Sequence, residues 1–351
     1  MAKIRARAPL RLGLAGGGSD VSPFCDEHGG SVLNVTIDRY AFASIEASSE
    51  DGISLSATDL GTVDRPTLGV RSDQPLDDST GLRLHRGVIN RMATLYGHGA
   101  LPQVKLTTYV ESPMGSGLGS SSALVVAMVK AMLAYYDRSL TAYEIARLAF
   151  DIERKDLGLR GGRQDQYAAA FGGINLMNFG ANDQAEVTPV PASNAMMHEL
   201  EASLVLLFTG ASRESATVIE RQAEALTRGG SSLEAMHNLK REAAAMHDAL
   251  LNGDLTDIAT VLDRGWEAKK ATSPAVSTPQ IEAALAAAKQ AGALAGKVSG
   301  AGGGGFIMFI TPPEERALII RTLEEGGHGD CMTGRFVNDG ALSWTTPNRA
   351  G

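Results

Sequence analysis

Cysteine is scarce in this chain: Cys25 and Cys331 are the only two among 351 residues. Two cysteines so far apart provide neither a disulfide framework nor the ligand spacing of a metal site. The seven histidines are scattered and form no HExxH pattern, so zinc chemistry has no support. We therefore expect both cysteines to be packing residues.

Long hydrophobic runs and an excess of positive charge are also missing. The longest apolar run, residues 123–136, is interrupted by Lys130 and is too short to span a bilayer, which predicts a buried helix. Arg11 interrupts what would be the apolar segment of a signal peptide, so we expect a cytoplasmic protein with no membrane partner.

The net charge of −8 argues against nucleic-acid binding, which needs a basic stripe. An anionic substrate would have to be bound by locally placed arginines.

Glycine, by contrast, is abundant, with 40 residues that include three clusters. The most informative cluster is Pro-Met-Gly-Ser-Gly-Leu-Gly-Ser-Ser-Ser at 113–122, in which three alternate glycines lead into three serines and an apolar segment. Glycine allows successive N–H groups to converge on an anion, and the N-terminus of a following helix adds further donors. This pattern predicts a phosphate-binding loop.

Two better-known phosphate-binding motifs do not fit. The P-loop needs a lysine directly after its last glycine, but Ser120 follows Gly119 and the next lysine is Lys130. Residues 300–305 match the dinucleotide pattern GxGxxG in form, but they precede the strand-like residues 306–310, whereas that motif must open a helix. The phosphate loop therefore belongs to another class of nucleotide-binding protein.

The three glycine motifs, taken in order, resemble those of a known family. They are Ala-Pro-Leu-Arg-Leu-Gly-Leu-Ala-Gly-Gly-Gly-Ser-Asp at 8–20, Pro-Met-Gly-Ser-Gly-Leu-Gly-Ser-Ser-Ser-Ala at 113–123 and Lys-Val-Ser-Gly-Ala-Gly-Gly-Gly-Gly at 297–305. Together they resemble the signatures of the GHMP kinases, the superfamily of galactokinase, homoserine kinase, mevalonate kinase and phosphomevalonate kinase. The Gly-Gly-Gly-Ser-Asp form of the first motif is similar to the branch that contains heptose 7-phosphate kinases and L-fucose kinases. Galactokinases have Gly-Glu-His in place of residues 16–18, which makes galactose a poor candidate substrate.

The resemblance implies an α+β, two-domain GHMP kinase fold. Its N-terminal domain would be ribosomal-protein-like with a left-handed β-α-β unit, and its C-terminal domain would be ferredoxin-like. Separately, Asn, Asp, Pro and Ser cluster at residues 180–195, which predicts a domain boundary there. We place an ATP-binding domain at 1–188 and a second domain at 189–351, with the active site between them. The β-α-α-β order of the second half predicts a small mixed sheet covered by helices on one face.

Local patterns predict individual elements. Residues 31–38 and 40–45 are typical of two strands that pair as neighbours. Thr141 and Glu144 form a capping box, which predicts the start of a helix, and Gly158 is its predicted stop.

Phosphoryl transfer to an alcohol needs an aligned hydroxyl, an acceptor for its proton, a metal on the phosphates and positive charge near the transferring group. Asp165 follows a glycine turn, where a fixed backbone can aim its carboxylate into a cleft. The resemblance implies that Asp165 is the catalytic base and that Arg11 lies near it. Arg11 would pair with Asp165 and stabilise a developing alkoxide. A solvated or helix-capping aspartate is the alternative for Asp165.

The resemblance also implies ATP and Mg²⁺ as cofactors. Glu153 is the implied magnesium ligand together with the hydroxyl of Ser121 or a neighbouring serine, and a solvated helix end is the alternative for Glu153. The residues implied to bind ATP are those of the second motif, Pro113, Gly115, Ser116, Gly117, Leu118, Gly119, Ser120, Ser121 and Ser122.

Substrate binding is assigned to the first and third motifs and to two arginines. Asp20 resembles the family aspartate that binds sugar hydroxyls. Arg213 and Arg163 are candidates for binding a phosphate on the sugar, with a surface ion pair as the alternative for each. The full substrate-binding set is Gly17, Gly18, Ser19, Asp20, Arg163, Gly302, Gly303 and Arg213.

The resulting hypothesis is an ATP- and Mg²⁺-dependent sugar kinase. It would phosphorylate the anomeric hydroxyl of D-glycero-D-manno-heptose 7-phosphate, as a step towards nucleotide-activated heptose for surface polysaccharides. Its partners would be ATP and the sugar phosphate, and the oligomeric state, monomer or homo-oligomer, stays open. The alternatives are a kinase for an unphosphorylated sugar such as L-fucose and a catalytically silent sensor of sugar and ATP. The presence of Asp165, Glu153 and the serine run favours an active kinase over a sensor.

Overall fold

A computed structural model shows two β-sheets with helices packed against them. It describes residues 3–48, 52–64, 75–77, 81–113, 115–210, 218–222 and 230–347. The strands are β1 (Lys3–Ala15), β2 (Gly30–Ala47), β3 (Ser54–Ala57), β4 (Thr62–Asp64), β5 (Val104–Val110), β6 (Ile174–Phe179), β7 (Ala185–Pro189), β8 (Leu204–Phe208), β9 (Ala295–Val298), β10 (Phe306–Ile310), β11 (Asp330–Met332) and β12 (Leu342–Thr346).

The main helices of this described part lie between the strands. They are α1 (Phe24–His28), α2 (Arg83–Tyr96), α3 (Ser120–Tyr135), α4 (Ala142–Phe150), α5 (Gln164–Phe171), α6 (Asn194–Ser203), α7 (Ser231–Asn252), α8 (Leu255–Thr272), α9 (Pro279–Gln290) and α10 (Arg316–Glu325). Within the described residues, no helix has the length and apolar character needed to cross a membrane.

The larger sheet has the strand order β12-β1-β2-β5-β3-β4, and β6 pairs with β2 and with β7. The predicted strands 31–38 and 40–45 are one continuous strand, β2, so the prediction that they pair with each other was wrong. The register between β1 and β2 shifts between Pro9 and Leu10, and such an irregularity bends a strand without ending it. As a result, β2 pairs with β6 through its first half and with β5 through its second half.

The smaller sheet has the order β11-β8-β10-β9. Every neighbouring pair in it is antiparallel, so the prediction of a mixed sheet was wrong. Helices α8 and α9 pack against β9, and apolar side chains of this sheet form a separate core with Trp266 and Ile281. Two sheets with helices segregated around them confirm the predicted α+β class.

Strand β12 returns from the second half of the chain to the larger sheet. It pairs antiparallel with β1, from Lys3 opposite Thr346 to Arg7 opposite Leu342. The larger sheet is therefore built from both halves of the chain. The predicted boundary between residues 188 and 189 stays a prediction.

Two helices of the first half position the residues that matter for chemistry. α3 is apolar on nearly all sides and packs against β1 and β2, as expected for a buried helix. α4 begins at the predicted capping box, in which the Thr141 hydroxyl accepts from the Glu144 N–H and the Glu144 carboxylate accepts from the Thr141 N–H. α4 continues beyond Phe150 as the π-helical turn Asp151–Asp156, and the predicted stop, Gly158, follows its end with a φ of +63°. Such turns are frequent at functional sites.

Candidate active site

The three glycine motifs, which are far apart in sequence, line one cleft of about 630 Å³. Gly18 faces it from the first motif, Gly117 from the second and Gly300 from the third. Charged side chains of both signs face the same space. They are Arg11, Asp20, Arg83, Glu153, Arg154, Arg160, Asp165 and Lys269.

The second motif has the geometry of an anion-binding loop. Gly115, Gly117 and Gly119 have φ values of +74°, +84° and +74°, a region that residues other than glycine rarely adopt. Helix α3 begins at Ser120, and its N-cap residue, Gly119, has no side chain to cap it. The start of α3 and the positive end of its dipole can therefore act on a bound anion.

Most of the residues predicted to bind ATP line the cleft: Gly115, Gly117, Gly119, Ser120, Ser121 and Ser122. The other three do not. Ser116 is fully buried and shares a 2.8 Å hydrogen bond with the Ser112 hydroxyl. Leu118 is a core residue whose carbonyl accepts a 3.0 Å bond from the Arg11 N–H. The Pro113 carbonyl accepts from the Ser116 N–H at 3.2 Å. These three residues support the loop rather than face a nucleotide.

The second and third motifs are in direct backbone contact. A Cβ on Gly117 would lie 2.4 Å from the Ser299 carbonyl oxygen, and one on Gly300 would lie 2.7 Å from the Gly117 Cα. The Phe306 N–H also donates to the Ser116 carbonyl at 2.9 Å. Glycine is therefore required at Gly117 and Gly300, where the second and third motifs cross, because no side chain fits between the two loops.

The glycines predicted to bind substrate from the third motif serve a different purpose. The Gly303 N–H donates to the Val276 carbonyl at 2.7 Å, and a Cβ on Gly302 would lie 2.7 Å from the same oxygen. Both residues fix the third loop to the segment after α8. The neighbouring Gly300 and Ala301 line the cleft instead.

Arg11 and Asp165 form the predicted pair. Arg11 lies on β1 with 4% of its surface exposed, and its Nε and Nη2 lie 2.7 and 2.5 Å from Asp165 Oδ1. The Arg11 Nη1 donates to the Gly117 carbonyl at 2.6 Å, which ties the pair to the phosphate loop. Among the described residues, none donates a hydrogen bond to Asp165 Oδ2. This oxygen is the one available to a substrate hydroxyl.

Asp20 holds the helix that carries Asp165. Its Oδ2 accepts from the N–H groups of Arg163 and Gln164 at 2.9 and 3.0 Å, and its Oδ1 accepts from Gln164 Nε2 and the Gly18 N–H at 3.0 and 3.1 Å. A carboxylate has about four acceptor positions, so these donors occupy it fully. A Cβ on Gly162 would lie 2.0 Å from Asp20 Oδ2, which explains the glycine there. In this conformation Asp20 caps α5 instead of accepting from sugar hydroxyls.

The neighbouring residues of the first motif are also engaged within the protein. The fully buried Ser19 hydroxyl donates to the Ser31 carbonyl at 2.9 Å and accepts from the Ser31 N–H at 3.0 Å, so the prediction that it contacts substrate is corrected. The Gly17 carbonyl accepts from Lys269 Nζ at 3.1 Å. Gly18 lines the cleft as predicted.

Glu153 lies in the π-helical turn and lines the cleft with 2% of its surface exposed. Gln166 Nε2 donates to Glu153 Oε2 at 2.5 Å and to the Ser122 hydroxyl at 3.1 Å. The Gln166 Oε1 is buried and has no hydrogen-bond partner in the described chain. The structure therefore links Glu153 through Gln166 to Ser122, one of the serines that neighbour Ser121.

Of the two arginines predicted to bind a sugar phosphate, Arg163 does not line the cleft. Arg163 is buried, with its Nη2 2.5 Å from Asp26 Oδ1 and its Nη1 donating to the Gly180 carbonyl at 2.8 Å. Its guanidinium also lies over the Phe150 ring. Its Nε is buried without a partner in the described chain, but its Nη1 and Nη2 bind the protein itself and it does not line the cleft, so its predicted role is corrected. Arg213 lies outside the described residues.

Sequence reasoning missed four cations of the cleft. Lys269 lies in a stretch that resembles a charged helix surface, but it stands three residues after the buried Trp266 and three before the buried Thr272. That spacing places it on the buried face of α8, a signal that was available in the sequence. The other three, Arg83, Arg154 and Arg160, have no comparable periodic signal.

Matches to known proteins agree with this geometry. The family model "GHMP kinases N terminal domain" matches residues 83–173, and "GHMP kinases C terminal" matches residues 246–329. The chain is 39% identical over 344 residues to the D-glycero-alpha-D-manno-heptose 7-phosphate kinase of Campylobacter jejuni, a match that covers 98% of this chain and 99% of that protein.

Two further relatives extend the comparison. A crystal structure of a D-glycero-D-manno-heptose 1-phosphate kinase from Bacteroides thetaiotaomicron is 40% identical, with a TM-score of 0.81, and the match covers 98% of this chain and 100% of that one. A bifunctional fucokinase/GDP-fucose pyrophosphorylase of Arabidopsis thaliana is 27% identical, over 93% of this chain and 32% of that protein. The chain has the two-domain GHMP kinase fold and belongs to the GHMP kinase family of phosphotransferases.

Proposed function

We propose that this protein is an ATP-dependent kinase for D-glycero-D-manno-heptose 7-phosphate that phosphorylates the anomeric hydroxyl to give the 1,7-bisphosphate. The observation that carries this proposal is the Asp165 carboxylate, paired with Arg11 and facing the phosphate loop in one cleft. Relatives at 39% and 40% identity over almost the whole chain are named as kinases of heptose phosphates, which supports the substrate class. The product would serve the synthesis of nucleotide-activated heptose for surface polysaccharides.

The residues of the cleft account for each part of the reaction. The sugar hydroxyl gives its proton to Asp165 Oδ2 as its oxygen forms a bond to the γ-phosphorus of ATP. The bond from that phosphorus to the β,γ-bridging oxygen breaks, and ADP leaves. The loop N–H groups and the N-terminus of α3 hold the ATP phosphates. Arg11 lies beside the acceptor and stabilises the charge that develops there.

The donor set in the cleft fits a magnesium ion. Mg²⁺ takes oxygen ligands and is usually held by one or two carboxylates together with substrate phosphates. Glu153 supplies a buried carboxylate, and the orphaned Gln166 Oε1 and the Ser122 hydroxyl lie beside it. Glu153, with Ser121 or Ser122, would hold the ion. When bound, it neutralises phosphate charge.

A different pair of arginines is suited to the phosphate of the sugar. Arg154 lines the cleft, and its Nε is buried without a partner in the described part of the chain. Its other contacts are long, 3.6 Å from Nη1 to Glu153 Oε1 and 3.3 Å from Nη2 to the Gly162 carbonyl. Arg160 also lines the cleft, and its ion pair with Glu220 spans 3.8 Å. These guanidinium groups have donors to offer a phosphate.

A turnover assay tests the proposed function. Purified protein is mixed with ATP and each of heptose 7-phosphate, unphosphorylated heptose, L-fucose, mannose, galactose and mevalonate, with and without Mg²⁺. We expect ADP release with heptose 7-phosphate above all, and only when Mg²⁺ is present. Preferred turnover of L-fucose would establish the first alternative, and binding of sugar and ATP without turnover would establish the sensor.

Replacing Arg154 by alanine is expected to raise KM for heptose 7-phosphate by about ten- to a hundredfold, the loss of a charge-assisted hydrogen bond of ~1.5–3 kcal/mol. The KM for unphosphorylated heptose should change little. Arg91→Ala is the control, because Arg91 pairs with Asp156 on the protein surface at 2.6 Å. Equal rises in KM for the phosphorylated and unphosphorylated sugars would show that Arg154 does not bind the phosphate of the sugar.

A further inference from the structure

Lys269 is a buried cation of the cleft that the proposed chemistry has not used. It lies on α8 with 3% of its surface exposed, and it lines the cleft. Its Nζ donates to the Gly17 carbonyl of the first motif at 3.1 Å and to the Gly300 carbonyl of the third motif at 2.5 Å. Its ammonium group therefore stands where these two loops meet, next to the phosphate loop that Gly300 crosses.

The charge of Lys269 is not balanced by a direct ion pair. Both of its hydrogen-bond acceptors are neutral carbonyls, and no Asp or Glu of the described chain forms an ion pair with it. The charged groups around it are Asp20, Asp165, Arg11 and Lys297. Burial, together with Arg11, lowers the pKa of Lys269 to about 8, against the opposing effect of the two carboxylates. A buried ammonium without a partner is costly, and an anionic ligand would remove that cost.

One N–H group of the Lys269 ammonium forms no hydrogen bond within the described chain. Lys269 carries three N–H groups, and two of them are used by Gly17 and Gly300. The space beside it is the cleft, between the phosphate loop and the Arg11–Asp165 pair. In an in-line transfer the γ-phosphoryl group of ATP must pass between these two features.

We propose that Lys269 binds the γ-phosphoryl group of ATP through its third N–H and stabilises the charge on that group during transfer. This inference rests on the proposed use of ATP, but not on which sugar is the acceptor. It assigns Lys269 to the catalytic residues, since it would touch the reacting group. It also explains why a lysine lies on the buried face of α8, whose other buried residues are mostly apolar.

Lys297 offers a matched control. It too is a buried lysine of the second half, and its Nζ donates to the Gly13 and Leu14 carbonyls of β1 at 2.9 and 3.3 Å. It does not line the cleft. A lysine that only ties the two halves together would behave like Lys297, so the comparison separates a structural role from contact with nucleotide.

The test compares two nucleotides that differ in the γ-phosphoryl group. Dissociation constants of Mg²⁺-ADP and of the non-hydrolysable Mg²⁺-AMPPNP are measured by calorimetry, without sugar, for the unsubstituted protein, Lys269→Met and Lys297→Met. The ratio of the ADP constant to the AMPPNP constant should fall by about ten- to a hundredfold in Lys269→Met and stay unchanged in Lys297→Met. An unchanged ratio in Lys269→Met, or an equal fall in both variants, would overturn the proposal.

A measurement on the unsubstituted protein covers the case in which Lys269→Met does not fold. Lysines are reductively methylated with formaldehyde in the presence of Mg²⁺-ADP or Mg²⁺-AMPPNP, and modification is followed by mass spectrometry. AMPPNP should slow modification of Lys269 well beyond the effect of ADP, with no such difference at Lys297. Equal protection by both nucleotides would contradict contact with the γ-phosphoryl group. Because neither experiment contains sugar, a wrong assignment of the heptose would leave both results intact.

Discussion

Asp165→Asn is expected to lower kcat by about 10²–10⁴, the usual contribution of general-base catalysis. Arg11 binds only Oδ1, so asparagine can keep an oxygen toward Arg11 while it loses the ability to take a proton at the second position. ATP binding should therefore change little. Steady-state kinetics with saturating ATP and sugar phosphate give kcat, and calorimetry with AMPPNP gives the nucleotide affinity.

Asp156→Asn is the matched control for this change. Asp156 is also paired with an arginine, since Arg91 Nε and Nη2 donate to its two oxygens at 2.7 and 2.6 Å, but it lies outside the cleft. Its variant should keep near-normal turnover. If Asp165→Asn also turned over at nearly the normal rate, Asp165 would not be the base. Catalysis would then depend on positioning of the substrates and on the positive charge of Arg11.

The parts of the site that were predictable from sequence depend on short-range rules. Alternate glycines before a serine run specify positive φ values and an uncapped helix start within a few residues, and both are present at Gly117 and Ser120. The capping box at Thr141 is equally local. Arg11 and Asp165 are 154 positions apart, and only the family resemblance could bring them together before the structure was known.

The unpredictable parts depend on which partner a polar side chain finds in three dimensions. A carboxylate after a glycine turn suits a sugar hydroxyl and a helix N-terminus equally well, and Asp20 caps α5. Arg163 has the sequence context of a phosphate ligand, yet its Nη2 pairs with Asp26 and its Nη1 donates to the Gly180 carbonyl. No local rule distinguishes these outcomes, because each is set by elements distant in the chain.

Two glycines of the third motif, Gly302 and Gly303, were predicted to bind substrate. In the structure several glycines of this motif are needed for close packing, against Gly117 at the loop crossing and against Val276 beyond it. A glycine that meets a ligand and a glycine that meets another backbone have the same sequence signature. Substitution distinguishes the two kinds of glycine. Replacing a glycine that contacts a ligand lowers ligand affinity alone, whereas replacing one that packs against backbone also lowers the stability of the protein.

Gly117→Ala is expected to abolish ATP binding and to lower the melting temperature together. The added Cβ would lie 2.4 Å from the Ser299 carbonyl oxygen, so the second and third loops must separate, and the φ of +84° is unfavourable for alanine. Separation of the loops would displace the N–H groups that bind the phosphates. Thermal unfolding and titration with AMPPNP measure the two effects.

Gly253→Ala distinguishes backbone strain from the clash at the crossing. Gly253 ends α7 with a similar φ of +75°, but a Cβ there would meet no atom within 4 Å. Both variants carry the cost of a left-handed alanine, roughly 1–2 kcal/mol, whereas only Gly117→Ala forces two backbones apart. Gly253→Ala should therefore lose some stability and bind AMPPNP normally. A Gly117→Ala protein that is no less stable than Gly253→Ala and still binds AMPPNP would show that contact between the two loops does not hold the nucleotide site together.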